Sequence, residues 1–232
     1  MMGELYQFYE KSLGATGFYQ CLKKRVTREP VSHNPFLILP DEEDPTQGFE
    51  NPGQVEPDTL RLDMPVMMGS QDARERVLIL GLEPRHSDDF YNILKQGNRV
   101  YGTPFGIDRW YSGAKQNIYP KAFAPYRSVD RLFLFSDFVK EYWVKDPESK
   151  EENSELARSR FGPLFVSKYR DFLEREIAIF QPNTIIGLGK IDISKKIPRD
   201  FIKDYGIHVV SHPIQGNYPK MKKSLDGIFG LI

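Results

Sequence analysis

Two residues able to do chemistry stand just beyond apolar runs. Val77-Leu78-Ile79-Leu80 is followed by Gly81-Leu82-Glu83-Pro84, and Val209-Val210 is followed by Ser211-His212-Pro213. Short apolar runs bounded by turn residues read as buried strands. Parallel sheets in α/β proteins bind ligands in the crevice outside the carboxyl ends of their strands. A carboxylate and an imidazole brought to one crevice form a pair suited to proton transfer and to stabilising developing charge.

The elements that must position this pair follow from the hydrophobic pattern. Candidate strands run from Val77 to Leu80, Leu132 to Phe135, Thr184 to Leu188 and Ile207 to Val210. Between the second and third, Phe165, Tyr169, Phe172, Leu173, Ile177 and Phe180 form one apolar stripe, with Lys168, Arg170, Asp171, Glu174 and Arg175 opposite, and Pro182 ends the helix. Strand, helix, strand in this order predicts right-handed crossovers and an α/β fold, a three-layer α/β/α sandwich around a central, mostly parallel four-stranded sheet. We assign residues 66–232 to that domain.

Residues 1–65 read as two short helices followed by an extended arm packed on the domain. Leu5, Phe8, Tyr9 and Leu13 have helical spacing, and Gly14 and Gly17 interrupt it. Prolines at 30, 35, 40, 45, 52, 57 and 65 argue against regular helix or central strand. The segment Arg85 to Arg127 reads as a long functional loop, and Lys145 to Arg160 as a surface excursion leading into a helix.

Composition narrows the function classes. The chain has 232 residues, 40% of them apolar and 28% charged, with 32 basic and 32 acidic side chains. That describes an ordinary globular protein, so any attraction to nucleic acid must come from a local patch. Cys21 is the only cysteine, which excludes an internal disulfide and a cysteine-ligated zinc or iron–sulfur site, and fits a reducing, cytoplasmic setting. The amino terminus lacks the apolar segment of a signal peptide and no stretch reads as a membrane span. A monomer is the favoured state.

Four segments taken in order, Gly81-Leu82-Glu83-Pro84, Gly102-Thr103-Pro104-Phe105-Gly106, Leu132 through Ser136-Asp137-Phe138-Val139-Lys140, and His212-Pro213, resemble the uracil-DNA glycosylase superfamily. The resemblance spans Val66 to Lys223. It implies a DNA repair enzyme that flips a deaminated or damaged base and hydrolyses its N-glycosidic bond without metal or organic cofactor. In that reading Glu83 stabilises the sugar cation and orients water, and His212 supports the departing base. Phe105 stacks on the base, and Gly81 and Asp137 complete its pocket. Ile214 and Tyr218 enter the DNA beside the flipped nucleotide, and Lys220, Lys222 and Lys223 hold phosphates.

Two positions depart from the family pattern. Glu83 replaces a shorter Asp or Asn, and Asp137 replaces an Asn whose amide both donates and accepts. A protonated Asp137 would mimic that amide; alternatively both acids merely cap helices. A catalytically inactive protein that binds nucleic acid or a nucleobase is therefore the second reading. Other motifs carry less. Asp41-Glu42-Glu43-Asp44 reads as a solvated acidic turn, His86-Ser87-Asp88 is too contiguous for a hydrolase triad, and His33 and His208 lack metal-ligand spacing. Gly187-Leu188-Gly189-Lys190 lacks the spacing of a phosphate loop, and no Gly-x-Gly-x-x-Gly follows a strand.

Overall fold

The computed structural model describes residues 2–28, 37–39, 56–84, 92–109, 118–145, 149–213 and 216–231. The amino-terminal half contains α1 (Met2–Leu13), α2 (Phe18–Arg28), β1 (Leu37–Ile38), β2 (Thr59–Asp63), β3 (Val66–Gly69), β4 (Glu75–Gly81), β5 (Leu94–Gln96), β6 (Arg99–Gly102) and α3 (Ile118–Phe123). The remainder contains β7 (Arg131–Asp137), β8 (Glu141–Val144), α4 (Lys150–Leu164), α5 (Arg170–Phe180), β9 (Thr184–Leu188), α6 (Lys190–Lys196), α7 (Arg199–Asp204), β10 (His208–Val210) and α8 (Tyr218–Ile228). The prolines at 30, 35, 40, 45 and 52, the acidic run at 41–44, His33, the His86-Ser87-Asp88 triplet and Ile214 lie outside the described residues.

The chain is an α/β protein. Unbroken apolar runs belong to strands covered on both faces, and Val77 through Leu80 and Leu132 through Phe135 are accordingly buried throughout. All four expected strands lie in one sheet, where β7, β4, β9 and β10 are neighbours in that order and pair in parallel. The sheet is larger than the four strands expected: β3 and β1 extend it antiparallel at the β7 edge, giving six strands. These two strands are too short, and lie too close to Pro65 and Pro35, to carry a readable period.

A second, four-stranded sheet in the order β5-β6-β2-β8 corrects two further expectations. The proline-rich arm contains a central strand: β2 lies between Pro57 and Pro65, has no proline of its own, and pairs with β6 on one side and β8 on the other. The expected loop from Arg85 to Arg127 contains the β5–β6 hairpin, turned by Gly97 at φ 60°, together with α3. Pro57 and Pro65 end that strand instead of preventing it. Helices α1 and α2 are not peripheral either, since Leu5, Tyr9, Phe18 and Leu22 are buried in the same core as Ile79 and Phe135.

The apolar stripe between β8 and β9 is helical, as its spacing predicts, but in two parts. Pro163, inside α4, lacks the N–H that would continue the ladder, and one wide π turn at Phe165–Tyr169 follows before α5 resumes. Gln181 in the left-handed region then closes α5 through its N–H to the Ile177 carbonyl.

One acidic residue is buried along with this stripe. Glu176 accepts hydrogen bonds at Oε1 from Tyr9 of α1 (2.8 Å) and Ser136 of β7 (2.9 Å), and its Oε2 lies 3.4 Å from Lys140 Nζ. Lys140 also donates to the Asp137 carbonyl and lies over the Phe172 ring. Both charges are fully buried. Removing one partner of such a pair strands the other, at a cost of about 3–5 kcal/mol. Glu176→Ala should therefore lower unfolding free energy in urea by about that amount, and joining Glu176→Leu with Lys140→Met should recover most of it. A single-mutant loss under about 1 kcal/mol would show that the pair is not a structural clamp.

Candidate functional site

Because β7, β4, β9 and β10 run parallel, their carboxyl ends share one side of the sheet, and the candidate residues gather there. Gly81 is the last residue of β4 and is paired in register with Asp137, the last residue of β7. His212 follows β10 by two residues. The second sheet supplies the aromatic: β6 ends at Gly102, and the Thr103 hydroxyl bonds Asp108 Oδ1 (2.8 Å), folding residues 103–108 back on themselves. Phe105 lies inside that fold in the left-handed region, φ 58°. A side chain other than glycine in this conformation carries a cost of about 1–2 kcal/mol.

Phe105 reaches the strand ends because Gly81 leaves room. A Cβ at position 81 would stand 3.0 Å from the Phe105 ring and within clashing distance of Asp137 Oδ1. The ring is half-buried; its centroid lies 4.6 Å from that of Tyr119 and 6.1 Å from that of Phe135. Tyr119, on α3, places its hydroxyl 2.5 Å from His212 Nε2. Gly81, Asp137, Phe105, Tyr119 and His212 thus form one contiguous chain of contacts.

Asp137 is the electrostatic anomaly of the site. Its side chain is buried at 3% exposure, with no hydrogen-bond partner for Oδ2 among the described residues. Nearby buried cations face other carboxylates: Lys140 faces Glu176, Arg61 faces Asp63, and Arg25 faces Asp108. Burial above all, then the Asp63 charge with lesser contributions from Glu176 and Glu83, holds the Asp137 pKa well above the usual carboxylate range, and Lys140 offsets this only in part. That shift favours the protonated carboxyl, the form that has both a donor and an acceptor.

Glu83 stands apart from the aromatic cluster. It faces Lys196 of α6, 3.8 Å away, and lines a cleft with Val139, Tyr142, Trp143 and Phe161 that includes neither Phe105 nor His212. Burial raises its pKa, while Lys196 opposes that rise. Lys196 is itself placed by the Phe161 ring, 4.8 Å below its ammonium.

The expected DNA-contacting residues sit on α8 where they are described. Tyr218 begins the helix, half-buried against the core, so it belongs to a first helical turn and not to a loop tip. Lys220, Lys222 and Lys223 are exposed, and Lys222 is bonded to Asp226 at 2.6 Å. Among the described residues no cluster of histidine, cysteine and acidic side chains could hold a metal ion, and no helix is long and apolar enough to cross a membrane.

Sequence reasoning missed Tyr119, Lys196 and the Lys140–Glu176 pair. Glu176 had a signal: it falls three residues after Leu173 and four before Phe180, on the apolar stripe where an acid is out of place. Tyr119 and Lys196 had none, since each meets its partner only through the fold. No protein-family model and no curated protein matches the chain.

The raised Asp137 pKa fixes a sign for stability against pH. The unfolded carboxyl ionises near pH 4, the folded one well above it, so the native state holds the extra proton between the two. Stability from this group is full below the unfolded pKa and falls as pH rises toward the folded one. Asp137→Asn, neutral throughout, should gain Tm relative to wild type on going from pH 4 to pH 8. Parallel Tm profiles would show that Asp137 ionises normally.

Proposed function

We propose that this chain is a DNA glycosylase-like hydrolase of the uracil-DNA glycosylase type, with the three-layer arrangement of that superfamily, acting on a flipped deaminated or damaged base. The carrying observation is that Gly81, Phe105, Asp137 and His212, drawn from four distant segments, meet at the carboxyl ends of one parallel sheet. An extruded base can stack on Phe105 while Asp137, in its protonated form, offers a donor and an acceptor to its edge. Breaking the glycosidic bond places positive charge on the sugar and negative charge on the base. His212 supports the departing base, and Glu83, kept toward its ionised form by Lys196, stabilises the sugar cation and orients water.

A second reading, base binding without cleavage, is favoured by one observation. The Glu83 carboxylate is engaged by Lys196 and lines a cleft separate from Phe105 and His212. Incubation with oligonucleotides carrying uracil, hypoxanthine, xanthine or a mismatch separates the two: abasic sites support hydrolysis, and tight binding with intact strands supports the second reading. If the enzyme reading holds, Glu83→Gln should slow single-turnover base release by about 10²-fold while leaving DNA affinity intact. An unchanged rate removes Glu83 from the mechanism.

DNA attraction is assigned to α8, since the net charge is zero. With Lys222 held by Asp226, Lys220 and Lys223 are the more available pair. Replacing both with Ala should reduce the slope of log affinity against log salt by about 2, given roughly 0.9 per phosphate neutralised on duplex DNA. An identical slope would show that neither lysine meets a phosphate.

A further inference from the structure

We propose that Tyr119 is a positioning residue that sets the tautomer and orientation of His212. Its hydroxyl lies 2.5 Å from His212 Nε2, and the two rings meet edge to face at 5.4 Å between centroids. Tyr119 is 7% exposed. An sp² ring nitrogen is a stronger acceptor than a phenol oxygen, so in this assignment the hydroxyl donates and Nε2 accepts. The proton of the neutral ring then resides on Nδ1. Which nitrogen of a histidine carries the proton is set by the hydrogen bond made at the other.

The same tyrosine packs against Phe105, 4.6 Å between centroids, so one side chain touches both the stacking aromatic and the imidazole. No base fits between two rings at that separation. A base stacked on Phe105 must therefore use its remaining surface or displace Tyr119. Any hydrogen bond from His212 to a departing base is given from Nδ1, or from Nε2 once Tyr119 has let go. This second part rests on the glycosylase reading; the tautomer assignment does not.

The test is long-range ¹H–¹⁵N correlation of the imidazole nitrogens in the full chain, comparing wild type with Tyr119→Phe, which keeps the ring and removes only the hydroxyl. Wild type should show His212 protonated at Nδ1, and the variant should shift toward the Nε2-protonated form that free histidine prefers. An Nε2-protonated wild type, or an identical pattern in the variant, overturns the proposal. On a base that wild type releases, Tyr119→Phe should lower kcat by about tenfold or more with KM within about twofold, because a wrongly held imidazole fails mainly in the transition state. A rise in KM with kcat unchanged would overturn the positioning role and make Tyr119 a binding residue. Absence of base release by wild type on every substrate would defeat the glycosylase reading and leave the tautomer result to decide the assignment.

Discussion

A single buried ammonium organises the carboxyl end of β7. Lys140 binds the Glu176 carboxylate, the Asp137 carbonyl and the Phe172 ring at once, and Glu176 in turn holds Tyr9 and Ser136. A charge that far from water tolerates little displacement, because each lost partner leaves a desolvated group behind. The consequence reaches the site directly. With its carbonyl fixed from below and its strand paired to Gly81, Asp137 has one backbone position, and its carboxyl is left without a cation of its own.

Asp137 stands apart from the buried ion pairs around it. Lys140–Glu176 ties α5 to the residues after β7, Arg61–Asp63 lies within β2, and Arg25–Asp108 ties α2 to the turn after β6. Burial raises the pKa of both Asp137 and the less buried Glu83. Asp137 is pushed well above the usual carboxylate range with Lys140 opposing only in part, whereas Lys196, facing Glu83, opposes the rise there.

The four parallel strands were legible because strands covered on both faces are apolar throughout, as Val77–Leu80 and Leu132–Phe135 are. Their parallel sense followed from the helix between them. The second sheet was not legible. Its strands β5 and β6 are three and four residues long, and β2 carries the buried Arg61 and Asp63, so neither length nor apolar period marks them. The strand-end motifs indicated Gly81, Glu83, Phe105, Asp137 and His212, but the side chains that hold Phe105, His212 and Glu83 come from α3 and α6. A tyrosine 93 positions from the histidine that it bonds leaves no local trace.

The left-handed backbone at Phe105 and the buried register of Asp137 belong to different sheets, and neither sheet contains a complete pocket. Two short steps carry the chain between the sheets near the site, from β2 to β3 across Met64 and Pro65 and from β7 to β8 across Phe138 to Lys140, and the Asp63 N–H donates to the Lys140 carbonyl where they meet. A molecule seated between Phe105 and Asp137 would thus touch two separately hydrogen-bonded layers and bind only when both are in place. By mass action such a ligand resists the opening of either layer. Binding there would then also report how completely the two sheets have come together.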